Sequence, residues 1–221
     1  MARAAPTPKT RDAQRSRRLI LDAAERLFAR QGYDAASLAG IGEAAGVSRG
    51  TPSYFFGSKA ELYRAVLERM YADRTAALEP VFAPLVEWAE GKPPAPPLRP
   101  VLTRSVEGYL RFLQQRPSFV DIIEREALAG GDRLRRLENQ STVMEDAFAA
   151  LRRRARARGL RNFDAGEAVM CLVALAYMPV AHRDTMLRRQ GLSLDDDRFL
   201  DQRSKHIADV LMHLLGASER S

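Results

Sequence analysis

Residues 37 to 59, SLAGIGEAAGVSRGTPSYFFGSK, constrain the fold more tightly than any other stretch of the chain. They read as two short helices joined by a tight turn. Ser37 carries the hydroxyl of a helix N-cap, Leu38 and Ile41 follow at a spacing that turns one face inward, and Gly46 stands where a positive φ or a close approach ends the helix. Ser48 is suited to cap a second helix. This is the grammar of a helix-turn-helix. In that motif the second helix enters the DNA major groove while the first crosses the backbone. The side chains opening the second helix should then be short, polar or cationic, as Arg49, Gly50, Thr51 and Ser53 are.

The flanks agree. Upstream, Ile20, Ala23, Ala24, Leu27 and Phe28 recur at helical spacing, which predicts a helix over residues 11 to 30 with Arg15, Arg18 and Arg26 on its other face and a stop at Gln31-Gly32. Downstream, Leu62, Tyr63, Val66, Leu67, Met70 and Tyr71 form one stripe of a helix running to about residue 79, the natural connector between a DNA-reading head and a body. Charge is distributed to match. The formal charge is +7, and the first 60 residues hold ten Lys/Arg against five acids, whereas the remainder holds twenty-five against twenty-three. A basic head suits a phosphate backbone.

The run from Arg18 to Tyr63, which includes LILDAAERLFARQGYDAASLAGIGEAAGVSRGTPSYFFGSKAELY, resembles the N-terminal domain of TetR-family (tetracycline-repressor-like) transcriptional regulators. It covers about the first third of the chain. The resemblance implies an all-α protein: an N-terminal three-helix helix-turn-helix DNA-binding domain and a C-terminal helical ligand-binding and dimerisation domain. Expected boundaries are a disordered basic arm at 1–10, the DNA-binding domain at 11–58, and the effector-binding and dimerisation domain at 59–221. Residue by residue, the resemblance puts Arg49 and Thr51 at base edges, Arg49 being suited to bidentate contact with guanine. It puts Ser37, Ser53, Tyr54 and Lys59 at phosphates, and Ser48 and Gly50 complete the DNA-facing set. The sequence departs from the common family pattern at Ala36, Gly40, Pro52 and Ser53, and has Phe55 where histidine is frequent. Gly40 and Gly42 should each cost about 1 kcal/mol relative to alanine in a helix interior.

Beyond Pro80 no stretch alternates like a β-strand. The spacing predicts helices over 81–90, 101–115, 118–129, 132–158, 164–189 and 196–215, with GKPPAPPLRP at 91–100 extended. Residues 165 to 179 are apolar nearly all round, and Ile207, Val210, Leu211, Leu214 and Leu215 make one stripe of the last helix. The two can bury each other and leave a surface for a second copy. The resemblance implies a four-helix homodimer interface here, assigned to Val169, Leu172, Val173, Ala176, Ile207, Val210, Leu211 and Leu214. It also implies a pocket for a small apolar or aromatic effector, with Phe82, Trp88, Tyr109, Phe112, Phe119, Met144, Phe148 and Met170 as its lining. The plainer reading of those eight is an ordinary core.

Other features narrow the function. A single cysteine, Cys171, excludes an intramolecular disulfide and reads as a core thiol in a reducing compartment. The N-terminus lacks the apolar segment of a signal peptide. The longest apolar run, Ala168 to Ala181, has 14 residues, short of the ~18 that suggest a membrane span. A cytoplasmic protein follows. His206 and His213 lie seven apart near Asp209, a spacing that fits a helix interface better than a metal site, so no metal or cofactor is expected. The arginines from Arg152 to Arg161 suit a solvated helix end or a second polyanion surface. No nucleophile stands beside a base and no phosphate-cradling loop is present, so catalysis has no support. The expected function is a sequence-specific DNA-binding regulator, a repressor released from a near-palindromic operator by an effector. The alternative is a DNA-binding module that recruits a protein partner without sensing a ligand.

Overall fold

The structure, a computed structural model, describes residues 8–91, 94–137 and 142–217. Among them are ten α-helices and no strand: α1 Pro8–Ala35, α2 Leu38–Ala44, α3 Thr51–Phe56, α4 Lys59–Glu90, α5 Leu98–Gln115, α6 Pro117–Leu128, α7 Asp132–Arg135, α8 Val143–Arg153, α9 Ala165–Ala181 and α10 Asp197–Leu215. Most of the expected basic arm, residues 1–7, lies outside the described residues. Residues 8–10 already belong to α1.

The chain forms two compact units. The first comprises residues 1–71 and 121–139, so it extends past residue 58 and takes in a second, later stretch of chain. The physical reason is a polar and aromatic joint. Arg125 of α6 donates from Nε to the Ala29 carbonyl at 2.9 Å and from Nη2 to that of Arg30 at 2.8 Å. Glu126, only 2 % exposed, accepts from the Tyr63 hydroxyl at 2.9 Å and from Arg133 Nη1 at 3.1 Å. Burial and the adjacent carboxylate push the Tyr63 hydroxyl far above its ordinary pKa, so it stays a donor. Under this joint, Ile20, Ala23, Ala24 and Phe28 of α1 and Leu62, Val66, Leu67 and Met70 of α4 are all buried. Phe28 packs edge-on to Tyr63 with ring centroids 4.6 Å apart. Arg69 crosses from α4 to Asp22 and Glu25, both at 2.6 Å. The predicted stop at Gly32 is real, with φ 81° and ψ 172°, but helical backbone resumes as far as Ala35.

The second unit, residues 72–120 and 140–221, is a helical body in which α5 packs on α9 and α10, and α8 on α9. Several of its helices differ in length from the sequence reading. The connector does not end at residue 79: α4 continues through Pro80 and Pro84 to Glu90. There Leu78, Phe82, Leu85, Trp88 and Ala89 are buried, and the Ser105 hydroxyl donates to the Val81 carbonyl at 2.9 Å. Burial of one apolar stripe outweighs two missing N–H donors. Residues 98–100, read as extended, form the first turn of α5, where Pro100 costs no hydrogen bond. The expected helix over 132–158 is two, α7 and α8, and the expected helix over 164–189 gives way after Ala181 to a π-helical turn at Arg183–Leu187.

Candidate DNA-binding site

Local chemistry sets the α2–α3 geometry. Ser37 Oγ accepts from the Gly40 N–H at 3.1 Å and caps α2. Gly46 turns the chain at φ 69°. Gly42 is the point of closest approach: a β-carbon there would lie 2.9 Å from the Ser48 carbonyl oxygen and 3.2 Å from Arg49 Cα. The glycine read as a helix-propensity cost is thus what lets the turn and α3 sit against α2. Ser48 does not cap α3. That position is Gly50, without a side-chain bond, while Ser48 Oγ and Thr51 Oγ1 share a hydrogen bond of 2.7 Å that braces the turn. Pro52 falls in the first turn of α3, where its missing N–H has no helical partner to lose, and its ring is buried.

What remains outside is a polar ridge. Ser48, Arg49, Gly50, Ser53 and Tyr54 are exposed and Thr51 half-exposed, with Tyr54 at 84 % the most open large side chain of the segment. Ser37, at the N-terminus of α2, is also exposed. Beneath the ridge, Arg17 of α1 lies 4.3 Å over the Phe56 ring and donates to the Phe55 carbonyl at 3.4 Å.

Two expected contacts acquire unforeseen partners. Arg49 Nε donates to Glu43 Oε1 at 2.6 Å, so the residue expected at guanine is held by an ion pair in which both side chains are more than half exposed. Solvent weakens such a pair enough for it to open on DNA. Lys59, expected at a phosphate, has a different task. Its Nζ donates to the carbonyls of Tyr33, Asp34 and Ala36 at 3.0, 3.2 and 3.1 Å and lies 4.5 Å from the Tyr33 ring centre. With its three protons spoken for, Lys59 ties the end of α1 to the start of α4. Sequence reasoning missed Arg17, Glu43, Arg125 and Glu126. Their partners lie on other elements, from 6 or 7 to 96 residues away along the chain, so the sequence carried no direct signal for them.

In the second unit the eight expected effector residues divide by exposure. Phe82, Trp88, Tyr109, Phe112, Phe119, Met144 and Phe148 are all at most 8 % exposed and fill the core, whereas Met170 is 57 % exposed. Trp88 Nε1 donates to the Pro96 carbonyl at 2.7 Å, and burial pushes the Tyr109 hydroxyl up to about 12. A cleft of about 500 Å³ in this unit is lined by Leu113, Gln114, Pro117, Val180, Leu187, Leu192 and Leu194 with Arg183, Asp184, Arg188 and Asp195 at its polar edge. The expected dimer residues divide likewise. Val169, Leu172, Ala176, Ile207 and Leu211 are consumed by the protomer's own core, and only Val173, Val210 and Leu214 remain partly open. Cys171, expected inside, is half-buried. His206 and His213 are exposed, and the acid between them, Asp209, is paired with Arg99. In the arginine run, Arg152, Arg153, Arg154 and Arg156 are exposed, while Arg158 donates to the carbonyls of Ala89 and Gly91 and stacks 5.1 Å from the Trp88 ring centre, and Arg161 donates to the Leu214 carbonyl.

A braced pair of short helices displaying an exposed polar ridge defines a helix-turn-helix DNA-binding protein. Comparison with known proteins agrees over both units. Residues 20–66 match the family model for bacterial regulatory proteins of the tetR family, and residues 99–211 match the tetracyclin repressor-like C-terminal domain. The HTH-type transcriptional repressor NicS of Pseudomonas putida is 27 % identical over 193 residues, 85 % of this chain and 86 % of that protein. The HTH-type transcriptional regulator TtgR, also of Pseudomonas putida, is 43 % identical over 60 residues, which are 27 % of this chain and 29 % of TtgR. A crystallised Mesorhizobium loti chain assigned to the TetR family shares the fold with a TM-score of 0.67 at 20 % identity, covering 91 % of this chain and 96 % of the other. The chain belongs to the TetR family and is a DNA-binding transcriptional regulator.

Proposed function

We propose that the chain is a repressor that binds a near-palindromic operator as a homodimer and is released by a small apolar or aromatic effector held in the helical body. The observation that carries this reading is the ridge of α3. In this reading Arg49 and Thr51 meet base edges, with Ser37, Ser48, Gly50, Ser53 and Tyr54 around them for backbone contact. A helix-turn-helix touches few bases, and two-fold pairing doubles the contacts when half-sites fall one helical turn apart, roughly 34–36 Å. For pairing we propose the outward faces of α9 and α10, where Met170, Val173, Met178, Val210 and Leu214 keep apolar surface open. For the effector we propose the cleft walled by Leu113, Pro117, Val180, Leu187 and Leu194 rather than the packed aromatic set. Effector and operator need only prefer different states of the dimer. No helix among the described residues is long and apolar enough to cross a membrane, and the protein is proposed to act in the cytoplasm, beside the chromosome.

Selection from a random duplex pool, followed by sedimentation of the selected complex, tests the reading. The expected product is an inverted repeat with half-site centres about 10 bp, or a multiple of that, apart, bound by two copies. A single half-site bound by one copy would overturn the dimer claim, and no enrichment would overturn operator recognition. Glu43→Gln should raise affinity for any duplex by removing an anion and freeing Arg49, measured at low salt.

A further inference from the structure

The first unit contains a cleft of its own, about 260 Å³, that neither the α3 ridge nor the body's cleft explains. We propose that it binds a single-ring aromatic carboxylate. Its apolar walls are the rings of Tyr33 and Tyr63 with Ala60 and Leu67, and its volume suits one ring. Its polar rim is Arg64, Arg133 and Arg136. Each has donors to spare among the described residues. Arg64 gives one bond to Glu68 at 3.3 Å, Arg133 gives one to Glu126 at 3.1 Å, and Arg136 gives none.

The one acid on the rim, Glu61, does not occupy those donors. Its carboxylate accepts from the Ser58 N–H at 2.9 Å and from the Ser58 hydroxyl at 3.0 Å. Those two bonds hold it below the usual carboxylate range. Glu68 and Glu126 partly offset the rim charge, and each takes only one edge of its arginine. Arg133 already shows the stacking that a ligand would extend: its guanidinium lies 4.2 Å from the Tyr33 ring centre and 5.8 Å from that of Tyr63. A planar ring laid beside the tyrosines and a carboxylate bridging two guanidinium groups satisfies both halves of the site at once, which neither an inorganic anion nor a neutral ring does.

The probe is benzoate, titrated by calorimetry into the full chain without DNA, so that a failure of operator binding does not bear on the result. The expectation is saturable one-to-one binding. Inorganic phosphate at matched ionic strength and benzyl alcohol should bind at least about tenfold more weakly, because each lacks one half of the contact. Arg136→Ala, at an exposed residue with no protein partner among those described, should weaken benzoate by about tenfold, and Ala60→Phe, which fills the cleft, should abolish binding. Arg188→Ala, in the body's cleft, should leave it unchanged. Absence of benzoate binding, or binding indifferent to both Arg136→Ala and Ala60→Phe, or binding lost in Arg188→Ala, would overturn the proposal.

Discussion

The α2–α3 segment and the helices of the body use side chains in opposite ways. In α2–α3 the residues that matter to a partner are polar and point outward, and what holds them is local: a serine cap, a turn glycine, and a close contact at Gly42. In the body the residues that look distinctive, Phe82, Tyr109, Phe112 and Phe148, point inward and hold the protein together, while its cleft is walled by leucines, a proline and a valine from α5, α6, α9 and the turns that follow α9. A local motif carries its function where the sequence can be read directly. A pocket is the space left over when distant helices pack, and no short stretch encodes it.

The largest effect expected from this contrast is in the body. Phe148→Ala removes a side chain with 0 % exposure and should cost about 3–5 kcal/mol in chemical denaturation. If Phe148 lined an effector cavity, the loss would be small and the effect would fall on ligand affinity instead. Gly42→Ala should come next. Helix propensity alone favours alanine by about 1 kcal/mol. The β-carbon would meet backbone at 2.9 Å. We therefore expect a net destabilisation of about 1–3 kcal/mol and weakened DNA binding. A stabilised variant would show that α2 and the turn are looser than the structure has them.

Lys59→Met sharpens the contrast within the first unit. Losing the ammonium that bonds three carbonyls should cost about 1–2 kcal/mol of stability, yet leave the salt dependence of DNA binding unchanged. A direct phosphate contact would instead lower the slope of log K against log salt by about 0.9. The smallest effect is at Glu61, whose pKa is lowered first by the Ser58 N–H and then by its hydroxyl. A folded-state pKa below the unfolded one contributes stability above the unfolded value, lost as pH falls through the folded one. Glu61→Gln should therefore lower Tm slightly at pH 7 and converge with wild type in acid.

Much of the fold was legible because helical periodicity and capping chemistry are local. Ser37, Gly32 and Gly46 were placed correctly from residue type alone. The misreadings share a cause. Pro80 read as a stop because its missing donor is visible in sequence, whereas the burial of Leu78, Phe82 and Leu85 that offsets it is not. Leu172, Ala176, Ile207 and Leu211 were assigned to a partner subunit because an apolar stripe looks the same whichever neighbour covers it. In the DNA-binding segment the exposed Arg49, Ser53 and Tyr54 were readable. The inward turn of Lys59 was not, since it depends on where the end of α1 lies.

The central claim, that the α3 ridge reads sequence, is tested most directly by fluorescence anisotropy on a selected operator and a scrambled duplex at matched salt, for wild type and Arg49→Ala. The account predicts a wild-type preference for the operator that the variant loses by about 1–3 kcal/mol, with little change on scrambled DNA. Equal wild-type affinity for the two duplexes, or an operator affinity untouched by Arg49→Ala, would contradict it.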